Sequence, residues 1–103
     1  MTMIDNLEAM LTTGKETALL RYSLGAEYLK TEEYSKAISN LRRAVEMDPG
    51  YSAAWKLLGK AYTGAGRNDD AVDAYTRGIA TADEKGDIQA AKEMKVFLRR
   101  LQK

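Results

Sequence analysis

The sequence predicts an all-α protein made of two consecutive pairs of antiparallel helices, with one further helix on each side. Gly25 and Gly59 lie 34 residues apart, each inside a helical pattern and each within the same motif, Leu-Gly-x-x-Tyr. Apolar residues recur at helical spacing almost throughout, and the single proline is Pro49. A glycine inside a helix costs about 1 kcal/mol relative to alanine, so two at one spacing indicate helices packed too closely for a Cβ. A fixed period of this length is typical of a helical repeat array.

Composition limits the classes of function. The 103 residues predict a single domain over 1–103, and the net charge of +1 lacks the basic excess typical of nucleic-acid binding. The chain has no cysteine and no histidine, so a disulfide framework, the usual metal ligands and the usual general base are absent. No apolar run approaches the roughly 20 residues of a membrane helix, and the first residues carry no basic leader. We therefore expect a cytoplasmic protein with no metal or cofactor that binds neither nucleic acid nor membrane.

The first two predicted helices are separated by Gly14, a residue that favours helix ends. The first, over 2–13, begins at the N-cap Thr2 with Asp5 three residues later, the spacing of a capping box. The second covers 16–30. The buried faces are expected to contain Met3, Leu7, Met10 and Leu11 in the first helix, and Leu20, Leu24, Gly25 and Tyr28 in the second.

The third and fourth predicted helices are separated by Asp48-Pro49-Gly50. Proline disfavours helical geometry in the residue before it, so the third helix covers 33–47. The fourth covers 52–63 and is followed by Gly64-Ala65-Gly66. We interpret these residues as a turn and not as a phosphate-binding loop, because no strand precedes them. The buried faces are expected to contain Tyr34, Ala37, Ile38, Leu41, Ala44 and Val45, then Trp55, Leu58, Gly59 and Tyr62.

The last two predicted helices cover 68–85 and 87–101, with Gly86 between them. The acidic pair Asp69-Asp70 lies at a helix start, where the helix dipole favours negative charge, so we do not interpret it as catalytic. The final helix has more than one apolar stripe. The expected apolar positions are Ala71, Val72, Tyr75, Gly78, Ile79 and Ala82 in the fifth helix, and Ile88, Ala91, Met94, Val96, Phe97, Leu98 and Leu101 in the last.

The repeated residues resemble the tetratricopeptide repeat family, as a small stand-alone protein with two repeats. The second copy contains the whole opening of the family pattern, W-x2-L-G-x2-Y, whereas Arg21 replaces the tryptophan of the first copy and Asp83 the closing proline of the second. The resemblance implies a right-handed α-solenoid with the N-terminal helix of a degenerate repeat over 1–17, repeats over 18–51 and 52–85, and a capping helix over 86–103. The residues that carry the resemblance are Leu24, Gly25, Tyr28, Ala37, Leu41, Ala44 and Pro49, then Trp55, Leu58, Gly59, Tyr62, Ala71, Tyr75 and Gly78.

The resemblance also implies a non-catalytic protein-interaction module, in which the first helix of each repeat lines a groove for a partner's segment. Some family members clamp a terminal carboxylate with a lysine and an asparagine, but Tyr22 and Ala26 stand at those positions here, so we do not expect that clamp. Lys56 and Lys60 lie one turn apart and could meet a carboxylate. The predicted groove residues are Leu19, Tyr22, Ala26, Leu29 and Lys30 from the first repeat and Ala53, Lys56, Lys60 and Thr63 from the second.

Two alternatives remain open. The apolar surface of the last helix, with Met94, Phe97 and Leu101, would instead form a symmetric homodimer. An enzyme without histidine or cysteine would need lysine, tyrosine or carboxylates in a pocket, and a two-repeat array has little room for one.

Overall fold

The computed structural model describes residues 2–103 and contains only helices within them. The number and order of the helices confirm the sequence prediction, and every boundary agrees within two residues. The helices are α1 (Met3–Thr12), α2 (Ala18–Lys30), α3 (Tyr34–Met47), α4 (Ser52–Gly64), α5 (Asn68–Lys85) and α6 (Ile88–Leu101).

Side chains and glycines define the helix ends. The predicted capping box of α1 is present: the Asp5 amide donates to the Thr2 hydroxyl at 3.1 Å, and the Thr2 amide donates to the Asp5 carboxylate at 3.3 Å. The Leu20 amide donates to the Thr17 hydroxyl at 3.0 Å, so Thr17 is the N-cap of α2 and the helix begins two residues later than predicted. Gly86 ends α5 with a φ of 73°, in the left-handed region that favours glycine.

The helices form a curved stack with two distinct faces. Each helix packs against the next, and in addition α2 contacts α4 and α4 contacts α6. Within residues 2–103, α1, α3 and α5 make no contacts with one another. The stack therefore bends so that α2, α4 and α6 form its inner face, while α1, α3 and α5 form its outer face.

The close packing at the two repeated glycines is confirmed. A Cβ on Gly25 would lie 2.7 Å from Leu41 Cδ2, and a Cβ on Gly59 would lie 2.6 Å from Tyr75 Cδ1. At each glycine, the side chain of Leu41 or Tyr75 on the following helix packs directly against the glycine backbone. The contact is therefore between a side chain and a backbone, and not between two backbones. This contact explains why both repeats tolerate a poor helix former at this position.

The residues that carry the family resemblance form the core, with the exception of Pro49, which lies exposed in the turn between α3 and α4. Pro49 still has a structural role, because its carbonyl accepts a hydrogen bond of 2.8 Å from the indole Nε1–H of Trp55. This bond ties the turn after the first repeat to the first helix of the second. Buried positions that the sequence analysis did not include are Asn40, Ser52, Ala54, Ala61, Ala74 and Ala90.

The predicted buried face of α1 is wrong at two of its four positions. Met3 and Met10 are 60% and 45% exposed, while Ile4, Leu7 and Leu11 pack against the core. The reason is that α1 contacts α2 alone, whereas α3 is covered by both α2 and α4. Met3 and Met10 lie 34 residues before Ala37 and Ala44 of α3, which are buried, but no second helix covers them in α1.

The two departures from the repeat pattern have visible consequences. Arg21, which replaces the tryptophan, lies half-buried and donates to Glu16 at 2.7 Å and to the side-chain carbonyl of Asn40 at 2.9 Å. A polar network thus fills the place that an indole fills in the second repeat. Where Asp83 replaces the proline, α5 continues and reaches 18 residues, against 14 for α3, as the sequence predicted.

Candidate functional site

The predicted groove residues lie on α2 and α4, two of the three helices of the inner face. None of them is buried. Leu19 and Lys30, near the two ends of α2, are exposed, as are Lys60 and Thr63 on α4. Tyr22, Ala26, Leu29, Ala53 and Lys56 are partly buried.

An aromatic pair stands where the two repeats meet. The rings of Tyr22 on α2 and Tyr51, the residue before α4, stack with centroids 4.9 Å apart and planes at 29°. Both residues are half-buried, so each keeps some surface that solvent can reach. Sequence reasoning identified Tyr22 but missed Tyr51, because the stack joins residues far apart along the chain.

The two lysines of α4 have different surroundings. Lys56 Nζ lies 3.3 Å from the Glu93 carboxylate of α6, so the carboxylate that we expected this lysine to meet is supplied by the chain itself. Lys60 Nζ instead lies 5.0 Å from the centre of the Phe97 ring. The place of both lysines in a partner-binding groove stays a prediction, and Lys56 would have to exchange Glu93 for a carboxylate of the partner.

Helix α6 belongs to the inner face, in addition to closing the stack. Arg100 approaches the Phe97 ring at 5.9 Å, beside Lys60 of α4. Sequence reasoning compared repeats at a spacing of 34 residues and so missed this role. A spacing of 36 aligns Ala54 and Leu58 with Ala90 and Met94, which are all buried, because the longer α5 displaces α6 along the chain.

One of the three residues expected on the dimer surface of α6, Met94, is not exposed. Met94 is fully buried, and its sulfur lies close to Gly78. The exposed apolar residues of α6 are Ile88 and Val96, 68% and 40% exposed, while Phe97 is partly buried. A symmetric dimer stays a prediction, but Met94 has no part in it.

The outer face has a cleft of about 450 Å³ between α3 and α5. Trp55 and Tyr62 of α4 lie among its lining, and charged side chains of both signs surround them. Two of its arginines are held by aspartates of α5: Arg67 to Asp70 at 2.8 Å and Arg77 to Asp73 at 3.3 Å. The cleft therefore offers few charges that are free to select a ligand.

Two kinds of feature are absent from residues 2–103. No group of three or more acidic, histidine or cysteine side chains could hold a metal ion there. In the same part of the chain, no helix is both long enough and apolar enough to cross a membrane.

Comparisons with known proteins agree with the repeat architecture. A family model described as tetratricopeptide repeat matches residues 28–94, from the end of α2 into α6. The chain belongs to the tetratricopeptide repeat family. Similar proteins include a tetratricopeptide repeat-containing protein of Pseudomonas aeruginosa, 52% identical over 99 residues that span 96% of this chain and 94% of the relative.

Solved structures show the same fold. A solution structure of a protein from Bordetella parapertussis is 44% identical with a TM-score of 0.86, covering 99% of this tetratricopeptide repeat chain and 89% of the other. A crystal structure of a tetratricopeptide repeat domain protein from Salinibacter ruber is 34% identical with a TM-score of 0.78, covering 84% and 97%. The fold is thus that of a tetratricopeptide repeat solenoid, whose general role is protein–protein interaction.

Proposed function

We propose that this tetratricopeptide repeat protein holds a segment of a partner protein in the groove between α2 and α4, without covalent chemistry. The observation that carries the proposal is the exposed apolar surface of α2 beside the Tyr22–Tyr51 stack. Leu19 is 64% exposed although leucine favours burial, and it lies one helical turn from Tyr22. Apolar and aromatic side chains grouped in this way support a contact surface.

Tyr22 is the expected anchor of the contact. Aromatic side chains contribute a large share of the binding energy at protein interfaces. Stacking on Tyr51 restricts the Tyr22 ring before any partner arrives, so less side-chain entropy is lost on binding. The ring is partly exposed and therefore still has surface to bury.

We further propose that the protein works in the cytoplasm and is not an enzyme. The absence of cysteine fits a reducing compartment, and the absence of histidine removes the commonest general base. Cell fractionation with an antibody against the protein tests the location. Recovery of the protein outside the cytoplasmic fraction would reject it.

The groove proposal is tested by capture of partners from an extract of the native cells. Leu19→Glu places a charge in the apolar part of the groove, at a position exposed enough to leave the fold intact. We expect it to lose the partners that the unmodified protein captures. The matched control is Met3→Glu, because Met3 is 60% exposed and lies on α1, on the outer face.

Two results would count against the groove. Equal capture by Leu19→Glu and the unmodified protein would show that the α2 surface is not the contact. Equal loss with Met3→Glu would show that any new surface charge has the effect. Tyr22→Ala and Tyr22→Phe then separate the anchor ring from its hydroxyl, since only the alanine variant should weaken capture.

A further inference from the structure

Basic and acidic residues are divided unevenly between the inner and the outer helices of the stack. The inner helices α2, α4 and α6 contain eight lysines and arginines but only two glutamates, whereas the outer helices α1, α3 and α5 contain five basic and eight acidic residues. The inner helices therefore have a net charge of +6 in a chain whose total is +1. Comparing the two halves of the sequence hides this division, because it alternates from one helix to the next.

The cations toward the α6 end of the inner face lack partners in the chain. Among residues 2–103, no carboxylate lies within ion-pair distance of Lys60 on α4, or of Lys92, Arg99 and Arg100 on α6. On the outer helices, Lys36, Arg43 and Arg77 are paired with acids, whereas Arg42 and Lys85 are not paired within the described part of the chain. Unpaired cations of this kind are free to pair with an external anion.

These cations surround an apolar centre. Lys60 and Arg100 approach the Phe97 ring at 5.0 and 5.9 Å, and Val96 beside it is 40% exposed. Lys92 and Arg100 flank Val96 at four residues on either side, so all three share one face of α6. We call Lys60, Lys92, Arg99 and Arg100, with Val96 and Phe97 among them, the basic patch.

We propose that the basic patch recognises an acidic segment of the partner protein, an inference that rests on the groove function proposed above. Carboxylates of the segment pair with Lys60 and Arg100, while an adjacent apolar side chain packs on Val96 and the edge of Phe97. Surface charge of one sign steers an oppositely charged segment and selects against basic ones. The segment would thus lie with its apolar part near Leu19 and Tyr22 and its acidic part toward α6.

A protein segment fits the basic patch better than a nucleic acid. A polyanion would meet a chain with a net charge of only +1 and a negatively charged outer face, which gives little long-range attraction. The patch also places a valine and a phenylalanine among its cations, and an apolar side chain of a peptide can bury both. Nucleic-acid binding is therefore an outcome that the experiment has to separate.

The experiment selects short random peptides displayed on phage against the whole folded protein. Peptides enriched on the unmodified protein should combine acidic residues with an apolar one. K60E/R100E should lose that preference for acid. The control R42E/K85E makes the same change of charge on α3 and α5 and should select the same peptides as the unmodified protein, with circular dichroism confirming the fold of each variant.

A synthetic copy of the most enriched peptide, amidated at its C-terminus, then measures affinity by fluorescence anisotropy. We expect K60E/R100E to raise Kd about tenfold or more, and added salt to raise it for the unmodified protein, because the pairs are exposed. Binding by the amidated peptide also shows that side-chain carboxylates, and not a terminal one, are recognised.

The outcomes separate this inference from the groove proposal. Peptides without acidic excess, or an unchanged Kd for K60E/R100E, would overturn the basic patch while loss of binding in Leu19→Glu still supported the groove. No enrichment, or binding unaffected by Leu19→Glu, would reject the groove and this inference together. A single-stranded oligonucleotide that binds the patch more tightly than the peptide would also overturn the inference.

Discussion

The replacement of Gly59 by alanine tests the packing on which the architecture depends. The new Cβ would lie 2.6 Å from two ring carbons of Tyr75, far inside van der Waals contact. Tyr75 is only 2% exposed, and the Phe97 ring packs near it at 5.7 Å between centroids. The ring therefore has little free space into which it could move.

Two opposing effects set the magnitude. Alanine stabilises a helix by about 1 kcal/mol relative to glycine. Overpacking a filled core costs about 1–3 kcal/mol, and confinement of Tyr75 places this site toward the upper end. We expect a net loss of about 1–2 kcal/mol, which lowers Tm by about 4–16 °C in a domain of this size. Gly59→Val adds two further methyl groups and should be more severe.

The assay is urea unfolding followed by circular dichroism, with Tyr75→Val as a second background. Valine lacks the ring that the new Cβ meets, so in that background Gly59→Ala should become stabilising by up to about 1 kcal/mol. This change of sign distinguishes a local clash from any general effect of the substitution. A matched control is the same pair of experiments at Gly25: Gly25→Ala is measured with Leu41, the clashing side chain there, and with Leu41 replaced by a smaller residue.

The reasoning is refuted if Gly59→Ala stabilises the protein in the Tyr75 background. It is also refuted if the substitution has the same effect in both backgrounds, because the ring would then not be the cause. Either result would remove the explanation for the repeated glycines.

Three further predictions follow from other contacts. Trp55→Ala should cost about 3–5 kcal/mol in urea unfolding, because it empties a buried site and removes the bond to Pro49, and Trp55→Phe should cost less. Hydrogen bonds from Arg43 and Arg21 lower the pKa of Glu16 from 4.5 to about 2. The stabilising effect of the Glu16 carboxylate is therefore present above pH about 4.5 and is lost as pH falls toward 2. Glu16→Gln should flatten this part of the pH–Tm curve, and an unchanged curve would contradict a stabilising role for the Glu16–arginine contacts. If α6 forms a homodimer, light scattering should show a mass that rises with concentration and returns to the monomer in Val96→Glu, whereas a constant monomeric mass rejects the dimer.

The fold was predictable because its determinants are local or repeat at a fixed spacing. Helix ends depend on neighbours such as Thr2 and Gly86, and the sequence placed α5 at its observed limits. The pairing of Gly25 and Gly59 with a second helix was predictable because each glycine carries a cost that needs a compensating contact. The side chains that the glycines contact were harder to predict, because Leu41 and Tyr75 each lie 16 residues further along the chain, on the next helix.

The errors arose where a residue's environment depends on distant parts of the chain. Met3 has the hydrophobicity of a core residue, but only the three-dimensional arrangement shows that no helix covers it. The buried Asn40 accepts a hydrogen bond from Arg21 of another helix, and the Tyr22–Tyr51 stack likewise joins two parts of the chain. For the candidate site, the residues on α2 and α4 were predictable from the period, whereas the contribution of α6 was hidden by the longer α5.

The position of α1 has a consequence for how the protein opens. This helix contributes no buried residue and rests on α2 alone, through contacts such as the hydrogen bond of 2.7 Å from Tyr28 Oη to Glu8. In a stack held by neighbour contacts, an element bound on one side separates at a small cost in free energy. Amide hydrogens of α1 should therefore exchange with deuterium well before those of α4, so the molecule can release its first ten-residue helix while the repeats stay intact.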